Sequence, residues 1–209
     1  MLISAAIVLL RSTGGGHSPS LQGPGEDGAP AVQGGLAGPV PAPKAGPALR
    51  LTTPDGYSYT VRAVRGGTNE QPLPAGHSPL PAGQTYAYID YLITNTGSDK
   101  ALLDFPGDLF VQRRQVPAAA RVRCMPQPGV QGDMCTLPNH SAVTGYLNGS
   151  KPPIEDSGDQ YMPPGASYLV RVATTMPVER TATQNDLHLY IWDARYISDR
   201  RAVGVDFPS

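Results

Sequence analysis

Two cysteines, three phenylalanines and one tryptophan are all that 209 residues contain of those types. Two cysteines permit at most one intramolecular disulfide. An excess of positive charge is also missing. Sixteen Lys and Arg stand against seventeen Asp and Glu, a formal net charge of −1. No basic excess exists to neutralise a phosphate backbone, so no nucleic-acid partner is expected, and runs of like charge are absent. No apolar set recurs at three-to-four spacing over ten residues, so no long helix is expected. The four histidines, His17, His77, His140 and His188, are scattered, and no G-x-S-x-G elbow is present. Neither a metal centre nor a nucleophile–base pair has the spacing its chemistry needs. The expectation is a protein that is not an enzyme, with no cofactor, no catalytic residue and no metal ligand. The acidic stretch 155–159 lacks the ligand ladder of a calcium loop and reads as a solvated turn.

The longest apolar run is short. Residues 2–10, LISAAIVLL, are apolar apart from Ser4. Nine helical residues cover about half of a ~30 Å hydrocarbon core, which suits the apolar part of an export signal better than a membrane span. Residues 1–11 therefore read as a signal peptide, or as a signal anchor whose basic flank lies upstream. In the second case the membrane is a partner through this segment. A buried element of a cytosolic protein is the competing reading. No cysteine stands near the run to carry a lipid anchor.

What is plentiful is glycine (24) and proline (23). Between residues 12 and 47, 25 of 36 residues are Gly, Pro, Ala or Ser. Such a composition supports no core, so 12–47 reads as a disordered linker. As a Gly-rich coil it reaches roughly 30–35 Å, a tether for a domain over 48–209.

That domain reads as all-β. The long stretch 84–98, QTYAYIDYLITNTGS, alternates: Ala87, Ile89, Tyr91 and Ile93 on one face, Tyr86, Tyr88, Asp90 and Thr94 on the other, with Leu92 breaking the pattern. A period of two rich in β-branched and aromatic residues marks a half-buried strand. Asn95-Thr96-Gly97 then offers residues that tolerate positive φ for a turn. Residues 48–64 read as a hairpin around Pro54-Asp55-Gly56. Further strands are expected at 101–103, 108–112, 168–172, 187–192 and 203–207. Seven or eight short strands imply a β-sandwich. Residues 116–164, rich in Pro and Gly, read as a long irregular insertion, often the mark of function.

The order of these pieces resembles a known family. A long strand ending in Asn95-Thr96-Gly97 is followed by short strands with Phe105 and Phe110. An insertion comes next, then Pro164-Gly165-x-x-Tyr168 before a strand, then a closing Leu-His-Leu-Tyr-Ile-Trp strand at 187–192. Over about residues 57–192 the chain is similar to the immunoglobulin-like domain of bacterial extracytoplasmic proteins. These are often lipoproteins of unassigned function, and the mycobacterial secreted immunogenic antigen has a similar sandwich. The resemblance implies an immunoglobulin-like sandwich, a location outside the cytoplasm and no catalytic residues to carry over.

Two candidate sites follow. Cys124 and Cys135 enclose ten residues and in an exported protein would pair; free thiols or a metal site are the alternatives. Closing so short a loop contributes about 2–3 kcal/mol in the chain-entropy model. The bond should pin an insertion peripheral to the core, so that its loss loosens the insertion more than the sandwich. The second candidate is an interaction face. Two sandwiched sheets bury only one side of the central strand, leaving Tyr86, Tyr88 and Leu92 as a Tyr-rich patch for a protein or envelope ligand, unless the insertion folds over them. The functional expectation is an exported cell-surface or secreted interaction module. A secreted enzyme and a structural envelope protein are the alternatives.

Overall fold

The computed structural model describes residues 37–71, 80–192, 195–196 and 201–209. The export segment 1–11, most of the linker, His17 and His77 lie outside the described residues. The described chain is all-β. Its strands are β1 (Gly38–Pro39), β2 (Leu49–Thr52), β3 (Ser58–Asn69), β4 (Gln84–Asn95), β5 (Ala101–Leu102), β6 (Gly107–Gln112), β7 (Met134–Thr136), β8 (Asn139–Leu147), β9 (Ile154–Asp156), β10 (Asp159–Met162), β11 (Ser167–Thr174), β12 (Val178–Glu179), β13 (Leu187–Ile191) and β14 (Val203–Val205). Helical structure among the described residues is limited to short 3-10 turns at Arg113–Gln115, Ala118–Arg123 and Gln184–Asp186.

The first sheet runs β1-β8-β11-β4-β3-β2, with β12 also paired to β4. All its pairings are antiparallel except β1 with β8. The second sheet runs β14-β13-β6-β7, and a small third runs β5-β10-β9. The alternation of β4 decides its inner face: Ala87, Ile89, Tyr91 and Ile93 are buried with Val61 and Ala63 of β3 and Val170 and Val172 of β11. The same core takes Leu109 and Val111 of β6 and Leu187, Leu189 and Ile191 of β13, so the two larger sheets share one apolar interior.

The outer face of each sheet is also partly covered. On the second sheet, Phe110 and Tyr190 meet edge to face at 5.1 Å and pack with Met134, Val130 and Ala202. The Ala202 N–H donates to Pro128 O (2.8 Å). Gly129, at φ +85°, is obligatory there, because a Cβ would lie 2.5 Å from Ala202 O.

On the first sheet the cover is the N-terminal segment. Val40 and Ala45 pack on Val64, Leu92, Leu147 and Leu169, which belong to four different strands or their bulges. The Val40 N–H donates to Tyr146 O (2.9 Å) and the Gly46 N–H to Ala63 O (2.8 Å), while Arg62 Nε donates to Gly46 O (2.8 Å). Gly46 also sits so close to Asp206 that a Cβ would fall 2.0 Å from its carbonyl oxygen. Lys44 reaches the Ser209 carbonyl. The folded part thus starts ahead of the boundary drawn at residue 48, and 37–47 are a strap rather than linker. A composition that cannot form a core of its own can still complete one that a sheet presents.

The insertion 116–164 is likewise more ordered than its composition suggests. It supplies β7 to the second sheet, the nine-residue β8 to the first, and the β9–β10 hairpin. Ser157 (φ 56°) and Gly158 (φ 92°) form the two-residue loop between β9 and β10, a geometry that matches strand twist. Asp156, in the acidic stretch, pairs with Lys100. At the end of β4, Asn95 is not a positive-φ turn residue. Its amide is buried, donating to Asp99 O (2.8 Å), Met162 O and Pro163 O (both 3.1 Å), while its Oδ1 accepts from the Gly97 N–H (2.9 Å).

Removing the strap should therefore destabilise the fold. A chain shortened to residues 48–209 exposes Leu92, Leu147 and Val64 and should lose about 2–4 kcal/mol relative to one starting at residue 33, judged from the cost of exposing such side chains. Thermal melting of the two is the check, and equal midpoints would show that the strap contributes nothing.

Candidate interaction surfaces

The face carrying Tyr86, Tyr88 and Leu92 is not an open aromatic patch. Tyr86 and Leu92 are buried. Leu92 lies among the strap residues Val40 and Ala45 and Leu147 of β8, so both the strap and part of the former insertion cover it. Tyr88 is half-buried. Its ring lies against Gly67, where a Cβ would meet it at 3.0–3.2 Å, and the Arg171 guanidinium stacks 4.0 Å from its centroid.

Beside Tyr88 the same face carries a buried charge. The Asp90 side chain is only 2% exposed. Arg171 Nε and Nη2 donate to its Oδ1 (2.7 Å) and Oδ2 (2.9 Å), and Arg65 Nε donates to Oδ2 (2.8 Å). Arg171 stands opposite Asp90 on β11 and Arg65 opposite it on β3. Arg65 reaches that register because β3 bulges between Ala63 and Arg65. In a regular ladder position 65 would share the inward face of Ala63; the bulge at Val64 turns it out. Asp90 in turn raises the Arg171 pKa through their hydrogen bonds.

The two arginines are unequal. Arg171 is 22% exposed and bidentate, Arg65 60% exposed and single-bonded. Arg171→Ala strips most of the compensation from a buried carboxylate and should cost about 2–4 kcal/mol, whereas Arg65→Ala should cost under about 1 kcal/mol. Chemical denaturation of the two variants distinguishes them, and equal losses would contradict this ranking.

Cys124 and Cys135 are joined in a disulfide, with their Cα atoms 4.6 Å apart. Cys135 lies on β7 opposite Val111 of β6, and both cysteines belong to the main core. The bond is therefore not peripheral, contrary to the expectation drawn from the composition around it. It fastens the end of the 3-10 turn Ala118–Arg123 to the second sheet. That segment points Val116, Ala120 and Cys124 inward at every fourth position. Arg121 Nε donates to Val116 O (2.8 Å), and Arg114 Nη2 to Asp186 Oδ1 (2.5 Å).

Asp186 is itself fixed, accepting from the Thr183 N–H and hydroxyl (both 2.9 Å). Burial alone would raise its pKa, but those hydrogen bonds, one from Gln115 and the Arg114 charge hold its carboxyl below the ordinary value. A lowered folded-state pKa means this brace is intact above the usual carboxylate range and weakens only as pH falls through it.

Outward, the same segment presents Val122, 80% exposed, and Met125, 62% exposed, the two most exposed large apolar side chains among the described residues. Arg113, Arg114, Arg121 and Arg123 lie within twelve residues of them along the chain, and no acidic residue occurs from Leu109 to Gly132. The overall charge balance conceals this cluster. A count of charge in short windows exposes it: four arginines within eleven residues of a chain whose net charge is −1.

Elsewhere, His188 stacks on Tyr190 (6.2 Å between centroids) and Trp192 donates to Asp108 on the outer side of the second sheet, while His140 is exposed on β8. Among the described residues, no group of three His, Cys, Asp or Glu side chains is placed to hold a metal ion, and no helix is long and apolar enough to cross a membrane.

Because the bond joins core residues, Cys124→Ala/Cys135→Ala should cost about 3 kcal/mol for a loop of this length and accelerate amide exchange through residues 113–136. Denaturation with exchange mass spectrometry tests this. A change confined to residues 125–133 would restore the peripheral reading.

No protein-family model, curated protein or solved structure matches the chain, so its function has to be read from these surfaces.

Proposed function

We propose that this chain is an exported interaction module of the cell envelope, an immunoglobulin-like β-sandwich without catalytic activity that binds through the tip at residues 113–125. The observation that carries this reading is the core disulfide Cys124–Cys135 beside the exposed Val122 and Met125. Structural disulfides persist in oxidising compartments, and the apolar run 2–10 supplies the sequence reason for export. Exposed apolar side chains held on a rigid support are what an interaction surface requires. The face of Tyr86, Tyr88 and Leu92, with Tyr86 and Leu92 buried and Tyr88 stacked under Arg171, does not support that role.

Site-specific photocrosslinking in intact cells of the native host tests the reading. A benzophenone side chain at position 122 or 125 of the full chain should give defined adducts, and one at the exposed Thr52 should not. Thiol trapping on the same cells should find both cysteines oxidised. Free thiols in a cytosolic protein, or equal adducts at all three positions, would overturn the proposal.

A further inference from the structure

We infer that the tip at residues 113–125 docks on an anionic lipid surface, with Val122 and Met125 entering the interface and Arg113, Arg121 and Arg123 meeting the headgroups. The inference rests on the envelope location proposed above and names the partner of the same site.

Three features point to lipid rather than to a folded protein. First, Val122 and Met125 project into solvent, at 80% and 62% exposure. A folded partner would need a complementary pocket for each, whereas a fluid interface accepts projecting apolar groups as they stand. Second, the apolar side chains alternate with cations, Arg121-Val122-Arg123, and Met125 follows one residue after Cys124. Guanidinium groups then lie at headgroup level while their apolar neighbours go deeper, the arrangement by which basic residues gain from an anionic surface potential. Arg114 is committed to Asp186; Arg121 uses its Nε on Val116 O and its Nη2 on Arg114 O (3.4 Å), and Arg113 its Nη1 on Cys124 O (3.5 Å), each keeping further guanidinium N–H groups for an anion; no hydrogen bond or ion pair of the Arg123 side chain is present among the described residues. Third, the segment is already ordered. The disulfide and the inward Val116 and Ala120 hold it, so docking incurs little further ordering entropy.

Residues 2–10 can themselves associate with a bilayer, so the test must read the tip locally. The full chain carrying Val122→Trp is mixed with vesicles of phosphatidylglycerol and phosphatidylcholine whose acyl chains are brominated. Thr52→Trp serves as the control, and the parent protein gives the Trp192 background. Emission from position 122 should be quenched well beyond the control, and much less by vesicles of phosphatidylcholine alone. Arg123→Glu in the Val122→Trp protein should raise the lipid concentration for half-quenching by at least about five-fold, since each basic residue near such a surface contributes roughly five-fold and the new carboxylate is repelled by it. Equal quenching at positions 122 and 52, or quenching indifferent to phosphatidylglycerol or to Arg123→Glu, overturns the lipid inference. If position 122 is unquenched yet gives a discrete protein adduct in cells, the tip is an interaction site for a protein and only the lipid assignment fails. If it gives neither, the proposed function fails with it.

Discussion

Strand β4 is buried along most of both faces, while the second sheet lies on only one of them. That asymmetry governs much of the rest. The inner residues Ala87, Ile89, Tyr91 and Ile93 are covered by β6 and β13. Leu92 and Asp90, on the other side, have no sheet above them. Leu92 is closed by the strap through Val40 and Ala45, and Asp90 by two arginines drawn from the flanking strands. The bulge at Val64 and the close approaches at Gly46 and Gly67 are the local geometry this cover requires. An apolar group and a charge need different covers: the first asks only for contact, the second for hydrogen bonds that replace water.

The parts legible in the sequence were those whose side chains alternate strongly. β4, the hairpin of β2 and β3, and strands β11, β13 and β14 lie where the period of two places them, and β6 lies at the short apolar run Leu109-Phe110-Val111. β8 was not legible. Its sequence, NHSAVTGYL, is mostly small or polar, and a bulge interrupts its pairing with β11. The strap was hidden for a different reason. Val40 and Ala45 are two apolar contacts in a Pro- and Gly-rich stretch, and their partners come from far along the chain. Local composition carries no record of such contacts. Asn95 shows the same limit: it looks like a turn residue, and its burial depends on carbonyls at 162 and 163.

The expectation of an open Tyr-rich face fails through that same omission. With Tyr86 and Leu92 expected to be open, the Tyr-rich face looked free, and with charge summed over the whole chain the four arginines at 113–123 cancelled against distant carboxylates. With Tyr86 and Leu92 buried, the disulfide-braced tip carries the two most exposed large apolar side chains among the described residues, ahead of Ile154 and Trp192. Whether the outer face of β4 is free at Leu92 thus depends on the strap.

That dependence makes the strap the point to measure. Amide hydrogen exchange of the full chain, read at single residues by NMR, reports whether the Val40 and Gly46 N–H groups are bonded as described to Tyr146 and Ala63. Protection at both positions approaching that of the β4 amides would show the strap to be integral to the fold. Exchange at both as fast as in an unstructured chain would show the outer face of β4 to be open at Leu92 and the strap to be no part of the fold.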